Sequence, residues 1–230
     1  MFKVTTQWNP LQAKLKEIIR KKDRFDEMQQ LLYEMHSIVH SSVVYGKPEP
    51  TYMDEVWSEL ESDVFCTMPT DKDDTVAWNI WHITRIEDLT SNYLVKGQSE
   101  VLNDSWLKRL NITVKDTGNA MSDSEIIDLS TKINKEALFE YRNAVGSSTQ
   151  EIIKNLKPED MKRKVSADGL KQIAAAGGVT EQADSVWLLD FWGKKTVAGI
   201  FQMPITRHQI VHLNDCKRLI EICRKRKYKS

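Results

Sequence analysis

The sequence is poor in cysteine and shows none of the spacings that pair cysteines. It contains three, Cys66, Cys216 and Cys223, an odd number scattered over 230 residues. A disulfide framework needs an even set at regular spacings, whereas isolated cysteines are usual in a reducing compartment. We therefore expect a cytoplasmic protein without disulfide bonds.

Net charge and long apolar runs are absent as well. Acidic and basic residues cancel at 33 each, so no overall field favours nucleic acid or acidic substrates. No apolar stretch approaches the length needed to cross a bilayer, and the first eight residues lack the apolar segment of a signal peptide. We expect neither a membrane nor a nucleic-acid partner.

Motifs of several chemistries are also missing. The glycines at 177 and 178 lack the GxxxxGK[ST] spacing of a phosphate-binding loop, and no Ser/His/Asp or Cys/His arrangement can be recognised. We interpret the basic run 217–229 as the C-terminal end of a helix, where cations stabilise the helix dipole. Nucleic-acid binding is the less favoured interpretation, because no known binding motif accompanies the run.

Helical periodicity covers most of the chain, and no alternating strand pattern is evident. Asn9-Pro10 is typical of a helix start, and capping boxes are expected at Thr51 with Asp54 and at Ser122 with Glu125. The expected helices span about 10–44, 51–64, 74–94, 122–156 and 204–226. Four long helices predict an all-α four-helix bundle with additional short helices and long connections, in a single domain over 1–230 with its core at about 10–220.

Three histidines are the most informative residues present. His208 and His212 are spaced i, i+4, which places both imidazoles on one helix face. His82 lies on another predicted helix, and a bundle can bring it to the same point. Three imidazoles around one divalent ion leave a position open for water or substrate. The alternatives are a solvated pair at His208 and His212 and a hydrogen-bonded core residue at His82.

Residues near these histidines suggest further roles. Asp215, one turn beyond His212, can orient an imidazole, while Cys216 is typical of a small buried residue. Arg85, one turn beyond His82, either holds an anionic substrate group or pairs with a carboxylate such as Glu87 or Asp88. No general base is evident.

A second histidine pair and the tryptophans complete the candidate set. His36 and His40 are again spaced i, i+4; we expect His40 to line a pocket and His36 to be exposed or packed at an edge. Most of the seven tryptophans lie near the candidate site, which indicates an aromatic-walled pocket. Trp78 is the tryptophan we expect to contact substrate.

The segments 77–88, AWNIWHITRIED, and 203–212, MPITRHQIVH, resemble the DinB-like (DinB/YfiT-like) superfamily of metalloenzymes. Its members are four-helix bundles with one histidine on the second helix and an HxxxH pair on the last. The resemblance implies that His82, His208 and His212 bind a divalent transition metal, usually nickel or zinc. It covers about 10–220, and this chain has extra sequence near 98–120 and 158–200.

Some members of the superfamily are transferases or isomerases that use low-molecular-weight thiols such as bacillithiol. The resemblance therefore implies a hydrolase or a thiol S-transferase with a small-molecule substrate, in which the metal activates water or lowers the pKa of the thiol. Arg85 would then hold the thiol's carboxylates. The alternative is a non-catalytic, stress-associated binding protein that can form a homodimer. Its metal site would then be structural or vestigial.

Overall fold

The computed structural model describes residues 2–227. Within them no β-strand forms, and the only extended pairing is one isolated bridge between Lys164 and Thr196. The α-helices are α1 (Asn9–Ile18), α2 (Phe25–Val39), α3 (Ser42–Tyr45), α4 (Tyr52–Ser58), α5 (Ser62–Cys66), α6 (Val76–Leu89), α7 (Asp104–Leu110), α8 (Asp123–Lys132), α9 (Lys135–Asn155), α10 (Ala167–Ala175), α11 (Ala183–Gly193), α12 (Val197–Gln202) and α13 (His208–Lys227).

Four of these helices form the central bundle. Helix α6 packs against α9 and α13, and α2 closes the ring by packing against the same two helices. Every residue of α6 is buried, as expected for a helix that is surrounded by others. Trp81, Leu32, Tyr141 and Leu213, one from each helix, are wholly buried in the core. The predicted all-α four-helix bundle is confirmed.

Both predicted capping boxes are present. Oγ1 of Thr51 accepts a hydrogen bond from the Asp54 amide, and the Asp54 carboxylate accepts one from the Thr51 amide, at 3.2 and 2.9 Å. Ser122 and Glu125 make the same exchange at the start of α8. These side chains satisfy amide groups that would otherwise lack partners at the helix start.

The first predicted helix is divided in the structure. Helix α1 ends at Ile18 and α2 begins at Phe25, with a 3-10 turn over Lys22–Arg24 between them. Residues 20–24 are all charged and offer no apolar face to bury, so packing does not hold a continuous helix there.

The predicted helix at 122–156 is also divided, into α8 and α9. Ile133 leaves the helical conformation with a φ of −64° and a ψ of 129°. The Asn134 side chain then accepts a hydrogen bond from the Ala137 amide at 2.8 Å and begins α9. An asparagine cap of this kind stabilises a new helix start rather than a helix interior.

Two long connections pack around the bundle. Residues 111–122 run between α7 and α8 and pass over α6, while α10 to α12 occupy most of the extra sequence at 158–200. A turn with π-type hydrogen bonds, Met203–Arg207, leads directly into α13, so His208 is the first residue of the regular helix. Within the described part of the chain, no helix has the length and apolarity to cross a membrane.

Candidate metal centre

The structure brings His82, His208 and His212 together. His82 projects from α6, and the other two lie in the first turns of α13. Their ring centroids are 4.5 to 5.0 Å apart, and one ligand nitrogen of each lies within 4.8 Å of the others. The bundle thus places the imidazole of His82 beside two imidazoles that lie at least 126 residues later in the sequence.

Hydrogen bonds fix the tautomers of two of these imidazoles. Nδ1 of His82 lies 2.7 Å from the carbonyl oxygen of Thr117, and Nδ1 of His212 lies 2.6 Å from Oδ1 of Asn79. The amide nitrogen of Asn79 donates to the carbonyl of Thr75 at 2.9 Å, which leaves its oxygen towards His212. Because both oxygens only accept, each Nδ1 carries the proton and each Nε2 keeps a lone pair.

His208 differs from the other two. Its Nε2 lies 3.2 Å from Nε2 of His82, so the two nitrogens can share one proton or face one cation. Its Nδ1 is buried and has no hydrogen-bond partner among residues 2–227. The kind of hydrogen bond that orients His82 and His212 through Nδ1 is therefore not formed by His208 within the described residues.

All three imidazoles are held neutral. Burial lowers the pKa of His82 to about 4, against a backbone hydrogen bond that raises it. Burial and the neighbouring His82 ring lower the pKa of His212 to about 3. Burial, together with the His82 and His212 rings, holds the pKa of His208 well below its usual value. Neutral imidazole is the form that binds metal, so three nitrogen donors of this kind fit a divalent transition ion such as zinc or nickel.

A small cavity borders the histidines. It has a volume of about 90 Å³ and is lined by His82, His208 and Asn119 together with apolar side chains. Four of the apolar side chains come from α11, namely Trp187, Leu188, Phe191 and Trp192. A ligand that reaches the histidines from this side therefore meets aromatic walls.

Trp78 supports a histidine rather than lining the cavity. Its ring stacks on His82 with centroids 4.7 Å apart and planes 12° apart, and its Nε1 donates to the Gly118 carbonyl at 3.2 Å. Gly118 has a φ of +76°, and a Cβ there would lie 2.6 Å from Nε1 of Trp78. The loop whose Thr117 carbonyl accepts a hydrogen bond from His82 is thus in close contact with the Trp78 ring that stacks on His82.

Of the two alternative roles predicted for Arg85, the contacts in the structure are those of pairing with a carboxylate. Its guanidinium is wholly buried and pairs with Asp88 at 3.2 Å and with Glu100 at 2.7 Å. It also donates to the hydroxyl of Tyr141 at 2.9 Å and to the carbonyl of Lys115 at 2.8 Å. With these partners, the side chain presents no free face to a substrate carboxylate.

His40 and His36 form a second buried cluster with Glu87. Nε2 of His36 lies 2.7 Å and Nε2 of His40 lies 2.9 Å from the Glu87 carboxylate, and Tyr45 is hydrogen-bonded to Nδ1 of His36. All three clustered side chains are wholly buried. The predictions that His40 lines the pocket and that His36 is exposed or at an edge are therefore wrong, because both rings turn inward to hydrogen-bond a carboxylate.

This second cluster also has ligand atoms within 4.8 Å of one another, but its charges are already balanced. Burial alone raises the pKa of Glu87, yet the two imidazoles outweigh it and hold that pKa well below its usual value. The buried guanidinium of Arg142 contributes a positive charge nearby. A divalent cation there would leave excess positive charge in a core that no anionic ligand can reach, whereas His82 and His208 border a cavity that a ligand can enter. We therefore assign the candidate metal centre to the three histidines.

Asp215 does not contact His212, contrary to its predicted orienting role. Its carboxylate is 43% exposed and lies 3.7 Å from Arg218, while Asn79 occupies the position on His212. Cys216 is fully buried and burial raises its pKa, in agreement with a small structural residue.

The basic segment near the end of the chain is partly engaged by acidic side chains. Lys217 and Arg224 both bind the carboxylate of Glu59, at 2.5 and 3.1 Å. Residues 228 and 229 of the run lie outside the described part of the chain. These contacts join the second half of α13 to Glu59, the residue that follows α4.

Comparison with known families identifies a relationship for most of the chain. A sequence model described as the DinB superfamily matches residues 49–216. This range exceeds half of the 230 residues and includes all three histidines of the candidate centre. No curated protein matches the chain.

Proposed function

The chain belongs to the DinB superfamily, and on that premise we propose that it is a metal-dependent enzyme. His82, His208 and His212 would hold the ion. A divalent ion such as zinc or nickel supplies Lewis acidity, which lowers the pKa of a water or thiol that reaches it. The reaction is then hydrolysis or transfer from a low-molecular-weight thiol, with a small molecule as substrate.

The tautomers of two imidazoles support this function more than any other feature. The Thr117 carbonyl and the Asn79 amide oxygen hold the protons of His82 and His212 on Nδ1. Both Nε2 lone pairs then face the third ring, and Nε2 of His82 is close enough to Nε2 of His208 for the two to face one cation. Oxygen acceptors of this kind orient metal-binding histidines in many proteins, whereas a structural pair would have no need of free lone pairs.

The walls of the cavity favour thiol chemistry over hydrolysis. Many hydrolytic zinc sites, such as those with the HExxH motif, add a carboxylate that takes a proton from water. Among the described residues that line the cavity, no Asp or Glu is present. Glu87, the carboxylate next along α6, is fully engaged by His36 and His40. A thiol, which loses its proton more readily than water does, has less need of such a base.

Elemental analysis of purified protein tests the metal site. We expect about one equivalent of transition metal per chain, as for a single three-histidine centre. His208→Ala should remove most of it, while His36→Ala, in the other histidine cluster, should retain it. Metal retained in His208→Ala or lost in His36→Ala would contradict the assignment.

The reaction class is tested on the metal-loaded protein. Thiol transfer is followed with a chromogenic electrophile and a panel of thiols, and hydrolysis with nitrophenyl esters. Activity that EDTA removes and added zinc or nickel restores supports an enzyme. A full metal complement without turnover in either assay favours the non-catalytic binding protein.

A further inference from the structure

The cavity beside the histidines has a composition that selects among ligands. We propose that it takes a small molecule whose body is uncharged and apolar, with α11 as the wall that recognises it. This inference depends on the proposed metal site for the ligand's reactive end.

Helix α11 presents a continuous apolar face to the cavity. Trp187 and Leu188 line it, and Phe191 and Trp192 line it one turn further on. Residues four apart share a helix face, so these four side chains form one wall. Trp187 packs edge-on against Phe191 with ring centroids 5.5 Å apart, which extends the apolar surface towards solvent.

Two polar groups of α11, and a lysine that follows the helix, have partners within this segment of the chain. Nε1 of Trp187 donates to the carbonyl of Asp184 at 3.1 Å within the same helix. Asp190 pairs with Lys194 at 2.5 Å, and Nζ of Lys195 lies 4.0 Å from the centre of the Phe191 ring. The four side chains with which α11 lines the cavity are themselves uncharged, and the Lys195 cation beside them lies over the Phe191 ring.

The other described residues that line the cavity are also uncharged. Ile86, Met203 and Pro204 complete the apolar surface, and Asn119 is the one amide side chain among the described lining residues. Oδ1 of Asn119 accepts a hydrogen bond from the Thr117 hydroxyl at 2.9 Å. Among residues 2–226, whose side chains the structure describes, no lysine or arginine lines this cavity. An anionic group would lose its hydration here without a compensating ion pair, which is unfavourable.

The cavity volume limits the buried part of the ligand. An engineered apolar cavity of about 150 Å³ holds a benzene ring, whereas this one has about 90 Å³. It therefore accommodates a group smaller than a benzene ring, such as a branched alkyl group, with any remainder of the molecule directed towards solvent.

Two thiols of matched shape test the inference. 3,3-Dimethylbutane-1-thiol ends in an uncharged tert-butyl group, and 2-mercaptoethanesulfonate ends in a tetrahedral anion on the same two-carbon arm. Each is titrated anaerobically into protein loaded with Co²⁺, whose visible absorption reports a thiol at the metal. We expect the neutral thiol to bind at least about tenfold more tightly, because only its end group gains from apolar burial.

Substitutions on α11 locate the selectivity. Trp187→Lys should reduce the preference for the neutral thiol at least about tenfold, by removing aromatic surface and adding a cation. Val186→Lys is the matched control, because Val186 is on the same helix and 41% exposed but does not line the cavity. Its preference should equal that of the unmodified protein.

Each outcome has a distinct meaning. Equal affinities in the unmodified protein, or a preference for the sulfonate, would overturn the apolar ligand while leaving the metal site intact. An equal effect of the two lysine substitutions would overturn the role of α11. Absence of Co²⁺ uptake would overturn both the metal site and this inference. Trp187 is 47% exposed, so its substitution spares the core, and the comparison of the two thiols on unmodified protein needs no variant.

Discussion

Oδ1 of Asn79 accepts a hydrogen bond from Nδ1 of His212 over 2.6 Å and so joins α6 to α13 at the candidate metal centre. Asn79 lies three residues before His82, and residues three apart share a helix face. One face of α6 thus carries one histidine of the centre and orients another. The Asn79 side chain is itself held by the Thr75 carbonyl, so the position of its oxygen is fixed.

Replacing Asn79 should weaken metal binding without removing a ligand. Asn79→Ala frees the His212 ring to rotate, and loss of such an orienting contact usually lowers metal affinity about 10- to 100-fold. Competition with a chromogenic chelator measures the change. Asp215→Ala is the control, since Asp215 contacts Arg218 instead, and its affinity should be unchanged. The opposite pattern would restore the orienting role to Asp215.

Gly118→Ala should disturb the loop over His82. Its φ of +76° is unfavourable for alanine, and the added Cβ would meet Nε1 of Trp78 at 2.6 Å. We expect a loss of about 1 kcal/mol or more in the free energy of unfolding, together with weaker metal binding, because the adjacent Thr117 carbonyl holds the His82 proton. Urea unfolding and chelator competition measure the two effects.

Gly97→Ala separates backbone strain from the close contact. Gly97 has a similar φ of +70°, but a Cβ there meets nothing within 4 Å. This variant should lose stability through its backbone while keeping its metal affinity. A matching loss of affinity would show that general destabilisation, rather than the loop, controls the site.

Local patterns predicted much of this fold from the sequence. The capping box of Thr51 and Asp54 involves residues three apart, so its spacing alone reveals it. The periodicity around His82 likewise placed that histidine on a core helix, and the i, i+4 spacing placed His208 and His212 on one face. The break at Asn134 was missed because the apolar pattern continues across it.

Long-range contacts account for what the sequence did not reveal. His82 is held by a backbone carbonyl, that of Thr117, and any residue type can supply a carbonyl. The Asn79 contact joins residues 133 apart, although its shared face with His82 was a signal that could have been used. The sequence left two roles open for Arg85, because Asp88 lies three residues on along the helix, whereas Glu100, which also pairs with it, lies in a predicted connection whose path the sequence does not give.

Arg85→Met should reveal the structural role of this arginine. Removing one partner of a buried charge network leaves Asp88 and Glu100 without their cation, which typically costs about 3–5 kcal/mol of stability. We expect a large fall in urea midpoint, with metal still bound by the folded fraction. An unchanged midpoint combined with weaker substrate binding would instead return Arg85 to the substrate site.

Removal of metal should leave the helices in place. The core consists of apolar residues contributed by all four bundle helices, and it does not depend on an ion as small zinc domains do. After EDTA treatment, the far-ultraviolet circular dichroism should be retained, while the melting temperature falls because the ion binds only the folded state. Loss of the helical signal at room temperature would make the metal a structural requirement.

The stability of the metal-free protein should fall in mild acid, in part through His40. Burial is the main cause that lowers the pKa of His40 to about 3. The Glu87 carboxylate raises this pKa, whereas the nearby His36 and Arg142 lower it. In the unfolded chain its pKa is about 6.5.

Between these two values the unfolded chain binds a proton that the folded protein does not, so stability is full above pH 6.5 and decreases as the pH falls towards 3, by about 1.4 kcal/mol per pH unit for one proton. The Glu87 carboxylate acts in the same direction at lower pH, because its folded pKa is depressed.

His40→Gln retains a donor towards Glu87 and removes the titrating ring. Urea unfolding at pH 7 and pH 5 should therefore show a smaller loss for the variant, by about 2 kcal/mol. The same loss in both proteins would mean that the folded protein protonates His40 in this range.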